Sequence, residues 1–280
     1  MRIRRPAVAG QFYSSNPEEL RTEIRDSFLS PQGPGRLPPG EFEGQAFATI
    51  NPHAGYMYSG GFASNSFYAL SSRRSIDVVV ILGPNHYGLG SGVAAPQSEV
   101  WETPLGKVDV DVQLARQLLL STKLVDLDDA AHWREHSVEV QVPFLQFSLR
   151  SGFKVLPISM AMQDMETAVE VGDSLGRLLS GRDSLLIASS DFTHYEPASE
   201  AKKKDEAALK DILSFDVTGL YRTIERLGVT MCGYGPVAAV LTAAKHLGAD
   251  KAKLLKYGSS GDVTGDFSSV VGYASVVLYR

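Results

Sequence analysis

Asp77-Val78-Val79-Val80-Ile81-Leu82-Gly83-Pro84-Asn85-His86-Tyr87 decides the fold class. An unbroken apolar run, without polar alternation, is what a parallel strand buried on both faces requires. This one ends in a turn that carries a histidine. The arrangement occurs twice more. Ala46–Ile50 runs into Asn51-Pro52-His53-Ala54-Gly55-Tyr56, and Leu185–Ala188 runs into Ser189-Ser190-Asp191-Phe192-Thr193-His194-Tyr195. Ligands of open α/β sheets bind just beyond the carboxyl ends of the strands. Three parallel strands would therefore bring His53, His86, His194 and the carboxylate of Asp191 to one edge. Cys232, the only cysteine, lies in a similar turn, Met231-Cys232-Gly233-Tyr234-Gly235-Pro236.

Outward from these runs, strand-like and helix-like stretches alternate. Asn16-Pro17 has the form of a helix start, asparagine as cap and proline in the first turn. Leu20, Ile24 and Phe28 then recur every four residues and define one buried face. Pro31–Gly44, rich in proline and glycine, reads as a loop to the first core strand. Phe62–Leu70, Asp111–Leu120, Val138–Phe147, Met165–Leu179, Ala201–Ser214, Val217–Leu227 and Pro236–His246 read as helices. Phe153–Ile158 and Ser184–Ser189 join the strands. Lys253–Tyr257 and Ser269–Tyr279 form a closing pair, antiparallel because only a Gly/Asp/Ser-rich loop separates them. Alternation of this kind indicates one layered α/β domain over residues 1–280, a mainly parallel or mixed central sheet flanked by helices.

Composition excludes several function classes. Of 280 residues, 44% are hydrophobic, ample for a large core. Twenty-seven basic and 32 acidic side chains give a formal charge of −5. Beyond Lys202-Lys203-Lys204 there is no basic stripe, so nucleic acid is not the expected partner. No apolar stretch approaches the ~20 residues of a membrane span. A lone cysteine cannot close an intramolecular disulfide and suits a reducing compartment. A cytoplasmic protein without a membrane partner is the expectation.

Each polar residue has a plain alternative. A single strand-end histidine such as His53 or His86 is readily satisfied by a local hydrogen bond; two of them after two core strands argue for a shared site. Asp191 can orient an imidazole or cap a helix. His194, with an ordinary pKa near 6.5, suits a ligand or an acid–base group. Cys232 can be a soft thiolate ligand, although spacing alone favours a small buried hydrophobe. His132-Trp133-Arg134-Glu135-His136-Ser137-Val138-Glu139 is the densest polar cluster. Its two carboxylates stand four apart, on one face if the segment is helical. The histidine spacing is that of a zinc pair, but Trp133 stands where the metalloprotease glutamate belongs. Lining a pocket or opening a helix is the simpler role. His246 closes a helix, where a cation is favoured. Neither a nucleophile elbow nor a phosphate or dinucleotide loop follows any strand.

The combination of motifs resembles the Memo family. The matching pieces are Arg5-Pro6-Ala7-Val8-Ala9-Gly10-Gln11-Phe12-Tyr13, Pro52–Gly60, Leu82–His86, Glu135–Phe144, Ser189–His194, Cys232-Gly233 and Tyr257–Asp262. The resemblance implies a fold shared with class III extradiol ring-cleaving dioxygenases, whose non-haem iron is held at strand ends by two histidines and a carboxylate. It implies that His53, His86 and Cys232 are metal-site residues, with His194 and Asp191 in the same pocket. Glu135 would help Asp191 orient groups around an acid–base His194. Cysteine in place of the carboxylate suits iron or copper most, and zinc as well. Ring cleavage is therefore not implied. Animal members of the family are linked to receptor signalling and phosphotyrosine peptides. Microbial relatives are often encoded beside radical-SAM and AMMECR-type proteins. An unidentified small molecule or peptide is the expected partner. The competing expectation is a non-catalytic module that binds a peptide or anion in the same pocket.

Overall fold

β3 (Val78–Pro84) is buried along its whole length, and its side chains divide between two cores. Val78, Val80 and Leu82 enter one; Val79 and Ile81 enter the other. β9 (Ser184–Ser189) divides likewise, with Leu186 and Ala188 on one face and Leu185 and Ile187 on the other. That is why these runs show no polar alternation: both faces are covered by helices. The computed structural model describes residues 2–73, 75–149 and 152–280.

In chain order the remaining strands are β1 (Ile3–Arg4), β2 (Ala46–Asn51), β4 (Val93–Ala95), β5 (Val100–Thr103), β6 (Gly106–Asp109), β7 (Asp126–Leu127), β8 (Lys154–Met160), β10 (His194–Glu196), β11 (Lys251–Ser259) and β12 (Val270–Tyr279). The helices are α1 (Pro17–Leu29), α2 (Tyr56–Leu70), α3 (Val112–Ser121), α4 (Gln141–Ser148), α5 (Met165–Leu179), α6 (Ala198–Leu213), α7 (Val217–Leu227), α8 (Tyr234–His246) and the short α9 (Gly261–Thr264). The main sheet has the order β10-β12-β2-β9-β3-β8-β4-β7, with β11 along the other edge of β12. β2, β9, β3 and β8 are mutually parallel, whereas β12 is antiparallel to β2, β10 and β11, and β4 to β8. The sheet is therefore mixed around a parallel centre. β1, β5 and β6 form a separate small sheet.

Most elements lie where the residue pattern puts them. Asn16 caps α1, its side chain accepting from the backbone N–H groups of Glu18 and Glu19. β11 and β12 pair antiparallel as expected. Three differences have local causes. α2 begins at Tyr56, not Phe62, because its first turn packs on the N-terminal segment, where the Tyr56 amide donates to the Phe12 carbonyl. α8 begins at Tyr234, two residues before Pro236. Residues 133–140 do not extend α4: its helix begins at Gln141, and the preceding turns are held by carboxylate-to-amide bonds.

Candidate metal centre

β2, β9 and β3 are adjacent and parallel, so their carboxyl ends present His53, Asp191 and His86 side by side. Cys232 arrives from the other direction, in the turn before α8. Gly233 permits this approach: a Cβ there would lie 2.5 Å from the Ser189 carbonyl oxygen. The Cys232 amide donates to the Asp191 carbonyl, and Gln163 ties the Cys232 carbonyl and the Gly235 amide to the end of β8. His53, His86 and Cys232 consequently offer ligand atoms within 4.8 Å of one another. His53 Nε2 and Cys232 Sγ are 3.2 Å apart.

Hydrogen bonding fixes the tautomers of His53, His86 and His194. Ser189 Oγ spends its one proton on the Ser137 carbonyl at 2.6 Å and accepts from Gln141 Nε2 at 2.8 Å. It can therefore only accept from His53 Nδ1, 2.9 Å away. His53 Nδ1 carries the proton, and the lone pair of Nε2 faces Cys232. His86 Nδ1 lies 2.8 Å from Glu135 Oε1, and an ionised carboxylate only accepts, so its Nε2 is likewise free. His194 Nδ1 donates to the Thr230 carbonyl at 2.9 Å, leaving the same ring atom free. His132 shows the opposite arrangement, Nε2 donating to the Ala94 carbonyl, deep in the interior.

Charge at the site follows from burial and these contacts. Burial pulls the Glu135 carboxyl upward, but the His86 hydrogen bond, the charges of His86 and His136 and the Ser137 amide outweigh it and hold the group down at about 2. Burial lowers His53 well below the usual imidazole range, and the neighbouring His136, His86 and His194 lower it further. Burial also raises Asp191, against the pull of the His53 amide hydrogen bond at 2.7 Å. Cys232 is raised by burial and by the Asp191 charge, so without a cation its thiol keeps its proton.

Of the expected residues, His53, His86 and Cys232 come together, and Asp191 and Glu135 stand directly behind them. No helix begins after Asp191; its carboxylate binds the His53 backbone and lies 4.0 Å from His53 Nε2, so the capping alternative falls away. His194 stands to one side on β10, partly exposed, near enough to act on His53 and Asp191 electrostatically. Glu135 and Glu139 do not share a helical face. Glu135 turns to His86, whereas Glu139 turns inward to Arg4, Tyr13 and the amides of Ala7 and Val8. His246 pairs with Asp173 at 2.8 Å, away from the site.

One residue beyond the expected set belongs here. His136 stacks on His86 with ring centroids 4.6 Å apart and meets His53 edge-on at 5.4 Å. With His86 and Glu135 it forms a second group of potential ligands. Burial lowers it to about 4, against the opposing pull of Glu135. Its adjacency to Glu135 was visible in the sequence, but no spacing rule singles it out.

Fold and site together define a mixed α/β protein with a histidine–cysteine cluster at the carboxyl edge of its sheet. Residues 4–277 match a family model described as Memo-like protein. A MEMO1 family protein of Methanopyrus kandleri is 46% identical, covering 99% of each chain, and one of Methanocaldococcus jannaschii is 48% identical over the same shares. The chain belongs to the Memo family. Among solved structures, an uncharacterized Escherichia coli K12 protein superposes with a TM-score of 0.54 over 83% of this chain and 99% of that one; at 17% identity this likeness speaks of fold alone. Among the described residues, no helix is long and apolar enough to cross a membrane.

Proposed function

We propose that this Memo-family protein holds one mononuclear metal ion through His53, His86 and Cys232, in a pocket of oxidoreductase ancestry. The observation that carries this reading is the pair of fixed tautomers. Ser189 and Glu135 each take the Nδ1 proton, which leaves Nε2 of both histidines unprotonated beside the thiol. Metal-bound histidines are held in this way by an acceptor on the other nitrogen. The donor set fits in size as well. Bonds of about 2.0 Å to nitrogen and about 2.3 Å to sulfur put tetrahedral ligand atoms roughly 3.5 Å apart, close to the 3.2 Å between His53 Nε2 and Cys232 Sγ. Two imidazoles and a thiolate suit iron or copper, and zinc as well.

A bound redox-active ion would supply one-electron or oxygen chemistry. The chain's own groups would orient and exchange protons around it. Glu135 fixes His86, Asp191 fixes the His53 backbone, and His194, with Nε2 free, is the group able to take up or release a proton at the edge of the site. A reducing, cytoplasmic setting suits the unpaired thiol. Simple catechol cleavage is not expected, because a thiolate replaces the carboxylate of the ring-cleaving site.

Anaerobic purification followed by elemental analysis tests the proposal. Wild type should carry about one ion per chain, and Cys232→Ser and His53→Ala should each weaken binding by at least tenfold, the lower bound set by the ~10–100-fold cost of supporting changes. Equal metal content in wild type and the double variant sinks it and leaves the non-catalytic peptide- or anion-binding module. Robust catechol cleavage by wild type, abolished in His194→Ala, would move the protein among the dioxygenases.

A further inference from the structure

β12 changes partner at the level of the site. Along one edge it pairs first with the segment after β9: the Gly272 amide donates to the Thr193 carbonyl, and the Phe192 amide donates to the Gly272 carbonyl. Further on, the same edge pairs with β2, Val276 opposite Ile50 and Val277 opposite Thr49. Continuing that register three residues back sets Tyr273 level with His53. The other edge brings no side chain against it, since its partner on β11 is Gly258. Tyr273 therefore stands at the fork, between Phe192 beside Asp191 and the turn that carries His53.

The ring of Tyr273 is 98% buried, at 2% exposure, and packs on Phe62 of α2 with centroids 5.4 Å apart. Its hydroxyl finds no hydrogen-bond partner among the described residues. A buried phenol usually pairs its hydroxyl; this one is not among the sealed polar atoms that lack a partner, so the small exposed part of the residue leaves the hydroxyl open to accessible space. Other phenols of this protein are tied down internally: the buried Tyr13 donates to Glu139 and Tyr56 to the Val140 carbonyl, and the half-buried Tyr257 donates to Asp205. Asp191 lies within electrostatic reach of the Tyr273 phenol, as do Tyr58 and Tyr195, two exposed tyrosines on α2 and β10. Tyr195 follows His194 with a left-handed backbone, φ 58°, which a bulky residue seldom adopts.

We propose that Tyr273 is a ligand-facing residue of this pocket, its phenol O–H donating a hydrogen bond to an anionic oxygen of the small molecule bound beside the metal. This rests on the metal-site reading above. Burial, with the neighbouring Asp191 charge, keeps the phenol protonated, so it acts as a donor and not as a base. An anionic oxygen suits the surroundings. The cation would favour it, and the nearby carboxylates are engaged: Asp191 by the His53 amide, Glu135 by His86, and Asp205 by the Thr193 amide and Tyr257.

The test compares wild type, Tyr273→Phe and His53→Ala, each reconstituted with Zn(II) under reducing conditions and titrated with 4-nitrocatechol. Tyr273→Phe should keep the wild-type metal content and thermal midpoint, because its hydroxyl makes no internal bond, yet bind the probe at least about fivefold more weakly. His53→Ala should lose the metal. Equal probe affinity in wild type and Tyr273→Phe overturns the proposal, as does a wild type that does not bind the probe. A fallen thermal midpoint with unchanged affinity gives the phenol a structural role and overturns it too. If His53→Ala keeps its metal, the metal-site reading fails by itself. The same two titrations on metal-free wild type and Tyr273→Phe then decide the role of Tyr273.

Discussion

At the scale of single residues, the site depends on where protons sit. The Nδ1 proton of His53 is taken by Ser189, whose hydroxyl is itself committed to the Ser137 carbonyl. Ser189→Ala removes that acceptor and lets the ring turn or protonate on Nε2. Metal affinity should fall about 10–100-fold, the usual cost of losing a supporting partner, while circular dichroism still reports the wild-type fold; unchanged affinity would show that the tautomer is fixed by something else. Of the proposed ligands, His53 and His86 were legible in the sequence because each follows an apolar run, whereas Cys232, whose spacing alone favoured a buried hydrophobe, entered through the resemblance to the family. Ser189, Gln141 and Thr230 were not legible. Ser189 and the Thr230 carbonyl each accept from an imidazole distant in the chain, and Gln141 acts through Ser189, to which it donates; no local pattern encodes that.

At the scale of elements, the informative segment is the coil of residues 133–140. Four-residue spacing of Glu135 and Glu139 suggests one helical face, yet each carboxylate collects backbone amides of a different strand end or terminus. A helix would leave both on a solvated face. Glu139 is fully buried; it pairs with Arg4, whose guanidinium also donates to the carbonyls of His132 and Glu135 and stacks over Trp101 at 4.3 Å. The N-terminal segment is thereby locked to the back of the candidate metal site. Glu139→Gln would leave Arg4 buried without its anion. Chemical denaturation should show a loss of about 3–5 kcal/mol; a loss under 1 kcal/mol would mean that the pair is dispensable. The long elements were readable from periodicity. The short strands β1, β4 to β7 and β10 were not, since two to four residues carry no period and, apart from the β5–β6 hairpin, their pairing is with distant chain.

At the scale of the whole molecule, acid stability follows from the interior histidines. Burial, aided by the Arg4 charge and opposed by the Ala94 carbonyl, Asp129 and Glu135, lowers His132 from 6.5 to about 4. The unfolded chain takes up a proton near pH 6.5 while the folded chain refuses it until about pH 4. Stability is therefore intact above pH 6.5 and is lost as pH falls toward 4, by about 3 kcal/mol from this group. His132→Gln can still donate to Ala94 and does not ionise, so its stability should decline less steeply than that of wild type across this interval; parallel declines would refute the assignment. The two-sided core was legible in the unbroken runs at Val78–Leu82 and Leu185–Ala188. What no run could show is the central place of β12, which pairs with β2, more than two hundred residues earlier. Closing so long a loop delays folding, because its entropy is lost before the contacts that reward it can form. The sheet edge that carries His53 thus stays open until the strand bearing Tyr273 docks. A small molecule arriving before that moment would meet the proposed metal ligands without the phenol proposed to hold it, so on that reading the pocket matures at the close of folding and not along the way.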